Sequence, residues 1–223
     1  MIRGIFFDAH GVLYDREEST GRYAVRLLAE RGFAAEIPAA EGGRLRALNN
    51  QASTGVISAE AYWDEFLRTC GVTDAGDRAA LMQEILAQAH HVVSIPGAGS
   101  TLAALKRRGF ILGIITDTMY PLEWKTAWLA KVEVAGFLDV VVSSTAVRSR
   151  KPDPEIYLHA LAQTGLRPVE AAFVGHDDRE LDGARRVGMV TVAVNHEPEA
   201  KADYYVRLLP DLLTLPIFQS DGS

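Results

Sequence analysis

Three polar residues that can do chemistry follow short apolar runs or stand beside turn residues. Asp8 follows Ile5-Phe6-Phe7 and precedes a turn containing Gly11. A carboxylate beside exposed backbone N–H groups suits attack on an electrophile whose developing charge those amides stabilise. Thr116 ends a second apolar run, and its hydroxyl can donate to a substrate oxyanion. Lys151 precedes a proline, and a lysine beside carboxylates can hold an anion in register.

A fourth stretch, Gly175-His176-Asp177-Asp178-Arg179-Glu180, places acidic residues between an apolar run and a helical pattern. Acidic residues in such a loop commonly bind a metal or pair with a lysine. Each of the four positions alone also has an ordinary explanation, because turns, helix caps and solvated surfaces use the same residue types. Their order along the chain, at the ends of successive apolar runs, favours one shared catalytic site.

Short apolar runs rich in β-forming residues recur along the chain and predict strands. They are Ile2–Phe7, Phe110–Ile115, Val140–Val142, Ala171–Val174 and Met189–Val194. The runs lack internal alternation, which indicates burial on both faces and therefore a parallel sheet covered by helices. Segments with helical spacing separate the last four runs. The predicted fold class is α/β, with a doubly wound, Rossmann-like parallel sheet.

The gap between the first and second runs contains four helical patterns and no convincing strand. The patterns lie at residues 23–28, 45–48, 62–67 and 81–87. We therefore predict a helical cap domain over residues 16–91, inserted into an α/β core made of residues 1–15 and 92–223. An insertion directly after the first strand lies beside the ligand crevice and is well placed to act as a lid. Residues 219–223 are predicted to fray.

Composition excludes several classes of partner. The 223 residues carry 23 Lys and Arg against 29 Asp and Glu, a net charge of −6, so we expect no nucleic acid or anionic membrane as a partner. One cysteine rules out an internal disulfide, and no apolar run approaches the roughly 20 residues that span a bilayer. The first residues turn acidic too soon for a secretory signal. We predict a cytoplasmic protein with a small-molecule substrate, and a homodimer stays open.

The motifs in this order resemble those of the haloacid dehalogenase superfamily, in its subfamily I with a helical cap. That superfamily uses an aspartate nucleophile, a Ser or Thr, a lysine and an acidic loop, and Lys151-Pro152-Asp153-Pro154-Glu155-Ile156-Tyr157 is similar to its third motif. The resemblance implies a hydrolase with a covalent intermediate on Asp8, helped by Thr116 and Lys151. The substrate-binding residues that it implies are Gly11, Asp117 and Thr118.

Two histidines stand where phosphatases of the superfamily carry aspartates. His10 has the position of the acid that protonates the leaving alcohol, and histidine can serve as acid or base near neutral pH. His176 has the position of a magnesium ligand, and nitrogen ligation shifts the preference from magnesium towards transition metals. The candidate metal ligands are Asp8, His10, His176, Asp177 and Glu180, and either Asp177 or Asp178 restores an oxygen ligand if the loop shifts by one residue. The predicted cofactor is a divalent metal, magnesium or a transition metal, with a metal-independent site as the alternative.

Three functions therefore stay open at this point, besides hydrolysis of other bonds through an Asp8 ester, including phosphonate carbon–phosphorus bonds. The first is phosphoryl transfer from a small metabolite. The second is metal-independent 2-haloacid dehalogenation, because the sequence around His10 and Tyr157 resembles that of the 2-haloacid dehalogenases. The candidate halide ligand for this reaction is a cap arginine, Arg44 or Arg46. Asp117 argues against it, because a negative charge near a leaving halide is unfavourable. The third is a binding protein that has the fold and has lost catalysis.

Overall fold

The core of the protein is a parallel β-sheet of six strands, seen in a computed structural model that describes residues 1–219. Residues 220–223, part of the segment predicted to fray, lie outside the described residues. In chain order the strands are β1 (Gly4–Phe7), β2 (Tyr14–Asp15), β3 (Val93–Ser94), β4 (Ile111–Thr116), β5 (Val140–Ser143), β6 (Ala171–Gly175), β7 (Val190–Val194) and β8 (Tyr204–Val206). The sheet contains β1 and β4 to β8, whereas β2 and β3 form a separate ribbon.

The order of strands in the sheet is β5-β4-β1-β6-β7-β8. The chain runs outward from β1 through β4 and β5, then returns to β6 and continues to the other edge, which is the doubly wound arrangement. All neighbouring strands are parallel, so the predicted fold class is confirmed. Phe7 lies opposite Ile114 on one side and Val174 on the other. The carboxyl ends of β1, β4 and β6 therefore meet at one edge of the sheet.

Helices cover both faces of this sheet. They are α1 (Thr20–Glu30), α2 (Gly42–Ser53), α3 (Ala59–Thr69), α4 (Ala75–Gln88), α5 (Ala98–Arg107), α6 (Leu122–Lys131), α7 (Ser144–Val147), α8 (Pro154–Thr164) and α9 (Asp178–Arg186). Phe6 packs in one apolar cluster with Ile156 of α8, whereas Phe7 packs in the other with Leu102 of α5. Burial of both faces explains why the strand sequences do not alternate.

Four helices, α1–α4, lie between the short strands β2 and β3. Each of the four helical patterns in residues 16–91 falls inside one of them. Side-chain caps fix where three of the helices begin, since Ser19, Ser58 and Asp74 accept hydrogen bonds from the first turns of α1, α3 and α4. No helix among residues 1–219 has the length and apolar character needed to cross a bilayer.

Strands β2 and β3 form a two-stranded antiparallel ribbon, in which Tyr14 lies opposite Ser94 and Asp15 opposite Val93. The ribbon joins the two segments that lead into and out of the inserted helices. The sequence did not predict either strand, because two residues are too few for a periodic pattern. It also missed β8, and it placed the return linker over residues 94–100, where α5 already begins at Ala98.

Candidate active site

The motif residues come together around a cavity of about 380 Å³ at the carboxyl edge of the sheet. From the core, Asp8 follows β1, Thr116 ends β4, and the loop after β6 brings His176 and Glu180. Lys151 reaches the cavity from the turn before α8. Residues on the cap side, among them Ser19, Thr20 and Ser53, line the cavity as well. The sequence motifs therefore form one site beneath the inserted helices.

Lys151 lies between two carboxylates at the centre of this site. Its Nζ donates to Oδ1 of Asp8 and to Oε2 of Glu180, both at 2.6 Å. Burial alone would raise the pKa of Asp8, but the Lys151 ammonium outweighs it and the pKa of Asp8 falls below its usual value. Burial raises the pKa of Glu180, and the charge of Asp8 adds to that rise. Asp8 is therefore the ionised carboxylate of the pair, with Oδ2 left for attack on a substrate.

The backbone around Asp8 has free donors. The N–H of Asp8 donates to Val174 O at 2.9 Å and that of Gly11 to Tyr14 O at 2.8 Å. Within residues 1–219, the N–H groups of Ala9, His10 and Asp117 have no hydrogen-bond acceptor. An N–H group that lacks an acceptor beside the Asp8 carboxylate can donate to an oxygen of a bound anion, and these three amides are suited to that role.

Gly11 has a structural role in the turn after Asp8. Its N–H is already used within the turn, and its φ of 78° favours glycine. A Cβ at this position would lie 2.7 Å from Cε1 of His176. Gly11 makes room for the imidazole and shapes the turn, and its role as a substrate ligand stays a prediction.

The residues after β4 differ in what their side chains contact. Thr116 is buried, and its hydroxyl has only a weak contact, 3.4 Å, with the carbonyl of Asp117. Asp117 accepts from the N–H of Lys151 at 3.1 Å and lies 3.5 Å from Nε of Arg150. Thr118 accepts from the N–H of Tyr120. Thr116 is thus available to a ligand, whereas the side chains of Asp117 and Thr118 hold the loops of the site. Both residues line the cavity, and their role as substrate ligands stays a prediction.

The two histidines lie on either side of the nucleophile's turn. His10 has a side chain that is 48% exposed, with Nε2 3.3 Å from Asp15 Oδ1. Burial of part of the ring and the charge of Arg16 lower the pKa of His10 below its usual value. His176 places Nδ1 3.8 Å from Oδ2 of Asp8, and this buried nitrogen has no hydrogen-bond partner among residues 1–219.

The donor set around Asp8 does not fit magnesium. Asp177 caps α9 by accepting from the N–H groups of Arg179 and Glu180, and Asp178 accepts from the N–H of Lys201. Neither residue restores the oxygen ligand that His176 replaces. In the described part of the chain, no three His, Cys, Asp or Glu side chains are grouped to hold a metal ion. The predicted ligand set of Asp8, His10, His176, Asp177 and Glu180 is therefore not assembled.

The predicted cap arginines do not reach the nucleophile. Arg44 is exposed on α2, where it pairs with Glu41 and Glu65 at 2.7 and 2.8 Å. Arg46 lines a second, larger cleft of about 860 Å³ between α2 and the turn of Lys151, outside the Asp8 cavity. Neither arginine lines the Asp8 cavity in this arrangement, and their role as substrate ligands stays a prediction.

Two cationic side chains near Asp8 were not predicted from the sequence. Lys125 of α6 is 3% exposed and donates to Tyr14 Oη at 2.7 Å. Burial lowers the pKa of Lys125 to about 7. Arg16, just after β2, lines the same cavity. The available signal was that Lys125 shares the apolar face of α6 with Trp128 and Leu129, where a lysine is unusual.

An ionised aspartate after the central strand of a doubly wound sheet, beneath inserted helices, is the arrangement expected of a hydrolase with a carboxylate nucleophile. The chain belongs to the haloacid dehalogenase-like hydrolase family, whose model matches residues 2–188. It is 28% identical over 203 residues to the glyceraldehyde 3-phosphate phosphatase of Methanopyrus kandleri, which covers 87% of this chain and 84% of that protein.

Relatives and solved structures include dehalogenases as well. The chain is 29% identical over 203 residues to (S)-2-haloacid dehalogenase 4A of Burkholderia cepacia, over 88% of this chain and 84% of that protein. The crystal structure of a dehalogenase, 26% identical, superposes with a TM-score of 0.69 and covers 99% of this chain and 98% of its own. The chain is therefore an enzyme of a family in which both phosphoryl and carbon–halogen chemistry occur.

Proposed function

We propose that this protein is a phosphomonoesterase that hydrolyses a small phosphorylated metabolite through a phosphoryl ester on Asp8. The observation that supports this most directly is the ionised Asp8 carboxylate. It is held by Lys151 at 2.6 Å, next to three backbone N–H groups without an acceptor in residues 1–219. A cavity of about 380 Å³ suits a small substrate rather than a macromolecule. Phosphatase relatives of this chain support the same substrate class.

The reaction follows from the positions of these groups. Oδ2 of Asp8 attacks phosphorus, the bond from phosphorus to the ester oxygen breaks, and the protonated ring of His10 gives its proton to the departing alkoxide. Lys151 and the free N–H groups stabilise the charge on the phosphoryl oxygens. Water then attacks phosphorus and gives a proton to the now neutral His10. Inorganic phosphate leaves, and Asp8 is free again.

Resemblance to phosphatases of the family implies a divalent cation, magnesium above all. The donors found here do not fit magnesium, because Asp177 is engaged as a helix cap and an imidazole replaces the oxygen ligand. No step above depends on a metal. A transition metal with Asp8 and His176 as ligands is the form of the metal hypothesis that matches the donor chemistry.

The second candidate function is displacement of halide at carbon, as in the dehalogenase relatives. It is favoured by His176 in place of a magnesium ligand, and by the contacts of Asp117 with Arg150 and the N–H of Lys151, which reduce the negative field of Asp117. In this reaction Asp8 attacks carbon and halide leaves. Water then attacks the carbonyl carbon of the Asp8 ester, so that solvent oxygen enters the side chain.

Isotope labelling under single-turnover conditions separates the two candidates. The protein is mixed in excess over ethyl phosphate or 2-chloropropionate in ¹⁸O-water, with magnesium, with zinc or with a chelator. Phosphoryl transfer places ¹⁸O in the released phosphate and none in Asp8. Displacement at carbon places ¹⁸O in Asp8 and releases chloride. A protein that has lost catalysis releases neither product, and that result contradicts both proposals.

We also propose residues 16–91 as a cap that closes over the bound substrate, since helices α1–α4 lie between the two strands of the β2–β3 ribbon. The predictions of a cytoplasmic location and of a homodimer rest on the sequence alone.

A further inference from the structure

One wall of the Asp8 cavity carries two cations that the proposed reaction does not use. Lys125 and Arg16, the cationic wall, both line the cavity. Arg16 comes from the segment that leads into the inserted helices, and Lys125 comes from α6 of the core. The two residues thus reach the same cavity from different parts of the chain.

Neutral groups hold both side chains in place. Lys125 Nζ donates to Tyr14 Oη at 2.7 Å and lies 5.2 Å from the ring centre of Trp128. Arg16 stacks on the same Trp128 ring at 4.6 Å, and its Nε and Nη2 donate to Ala89 O. These contacts orient the charges without neutralising them.

No carboxylate of residues 1–219 lies within 4.0 Å of either cation's side-chain nitrogens. The acids of the cavity have other partners: Lys151 holds Asp8 and Glu180, and Asp177 caps α9. A buried ammonium without an anion is costly, and burial has correspondingly lowered the pKa of Lys125 to about 7. Such a wall is suited to an anion supplied by a ligand.

We propose that Lys125 and Arg16 form a subsite for a second anionic group of the substrate, a carboxylate, while Asp8 attacks its other end. Lys125 has two N–H donors left after its bond to Tyr14, and Arg16 carries further N–H donors besides Nε and Nη2, which bond to Ala89 O. These donors match the two oxygens of a carboxylate. The inference deepens the proposed function and rests on it for the identity of the reacting end. A subsite at this position would favour short substrates that carry a carboxylate a few bonds from the phosphoryl group.

The first test compares two esters of nearly equal size, carboxymethyl phosphate and ethyl phosphate. The chains compared are the wild type, Lys125→Met, Arg16→Gln and the matched control Lys131→Met. Lys131 lies on the same helix and donates to His90 O, away from the cavity lining. We expect the wild type to prefer carboxymethyl phosphate. Either cationic-wall variant should reduce that preference about 10-fold to 100-fold, through KM more than kcat, because a charged hydrogen bond is lost. The control should retain the preference.

The second test measures binding without turnover. Malonate, a dicarboxylate that the proposed chemistry cannot cleave, is titrated into the same four proteins by calorimetry. We expect saturable binding to the wild type and to Lys131→Met, with a dissociation constant raised about 10-fold or more in Lys125→Met and Arg16→Gln.

The two tests together separate failure of the subsite from failure of the phosphatase. If malonate binding depends on the cationic wall but neither ester is hydrolysed, the subsite stands and the phosphatase proposal fails. If both esters are hydrolysed and lose rate equally in Lys125→Met, or if malonate does not bind the wild type, the subsite is wrong. Arg16→Gln keeps the test decisive even if Lys125→Met fails to fold.

Discussion

Lys151 and Lys125 are equally buried lysines of one cavity, and they have opposite surroundings. Each is 3% exposed. Burial is the largest influence on both, yet Asp8 and Glu180 raise the pKa of Lys151 above its usual value, whereas the pKa of Lys125 is lowered to about 7. The difference lies in the partners, which are two carboxylates in one case and a hydroxyl and aromatic rings in the other. Burial thus lowers the pKa of a lysine, and a nearby anion raises that pKa again.

The largest expected effect comes from removing the anion that Lys151 holds. Asp8→Asn should lower kcat/KM at least about 1000-fold for whichever substrate is hydrolysed, because the nucleophile is gone. Steady-state phosphate and chloride release measure this. Thr126→Ala, on the outer side of α6, serves as a folding and activity control, since its exposed hydroxyl bonds only to Leu122 O. Wild-type turnover by Asp8→Asn would contradict every catalytic proposal made above.

Lys151→Met should be strongly destabilising. The substitution leaves Asp8 and Glu180 buried without their shared cation, and breaking a buried pair typically costs about 3 kcal/mol of the free energy of unfolding. Urea denaturation at neutral pH measures it. Lys106→Met is the matched control, because Lys106 pairs with Asp139 at 2.7 Å on the surface and should cost less than about 1 kcal/mol. Equal losses from both variants would show that the buried carboxylates do not need Lys151.

His10 should control the pH dependence. Its pKa lies below the usual value because burial and Arg16 outweigh Asp15 and Asp8, so the protonated acid form declines as pH rises. The kcat/KM for ethyl phosphate should therefore fall as pH rises, with its midpoint below the usual pKa of histidine, and His10→Asn should lower it about 100-fold and abolish that slope. p-Nitrophenyl phosphate, whose leaving group needs no proton, should be much less affected. Equal effects on both esters would remove His10 from the role of acid.

Lys125→Met should change the free energy of unfolding in the opposite direction to Lys151→Met. Removing a buried cation that lacks an anion should raise the free energy of unfolding by about 1 kcal/mol. The folded-state pKa of Lys125, about 7, lies below its unfolded value, so wild-type folding is penalised most below pH 7 and less as pH rises. The advantage of the variant, measured by urea denaturation, should shrink accordingly. A loss as large as that of Lys151→Met would break the comparison between the two lysines.

Arg44→Gln should have the smallest effect. Arg44 pairs with Glu41 and Glu65 on the surface of α2, and solvent and salt screen such exposed pairs. We expect an unchanged midpoint of urea denaturation and an unchanged kcat/KM. A tenfold or larger fall in kcat/KM would indicate that Arg44 contacts the substrate.

Local patterns in the sequence predicted the sheet and the meeting of Asp8, Thr116 and Lys151, because apolar strands of a parallel sheet end at a common edge. They did not predict how the residues between these motifs are used. Asp117 bonds to a residue 34 positions away and Lys125 to one 111 positions away. Such partners depend on tertiary packing, and no local periodicity encodes them. The position of Arg44 outside the Asp8 cavity was not predictable for the same reason, since an exposed helix face and a cavity wall use the same residue types.

The β2–β3 ribbon has a mechanical consequence for the inserted helices. Both chain segments that connect them to the sheet are paired there, and Arg16 fastens the end of α4 through Ala89 O. If α1–α4 rotate, the two connecting segments bend near this ribbon, and the contact of Arg16 with Trp128 on α6 would have to change. A carboxylate bound by Arg16 and Lys125 together would oppose that rotation. The bound substrate would then hold the inserted helices over the site and exclude water while its other end reacts.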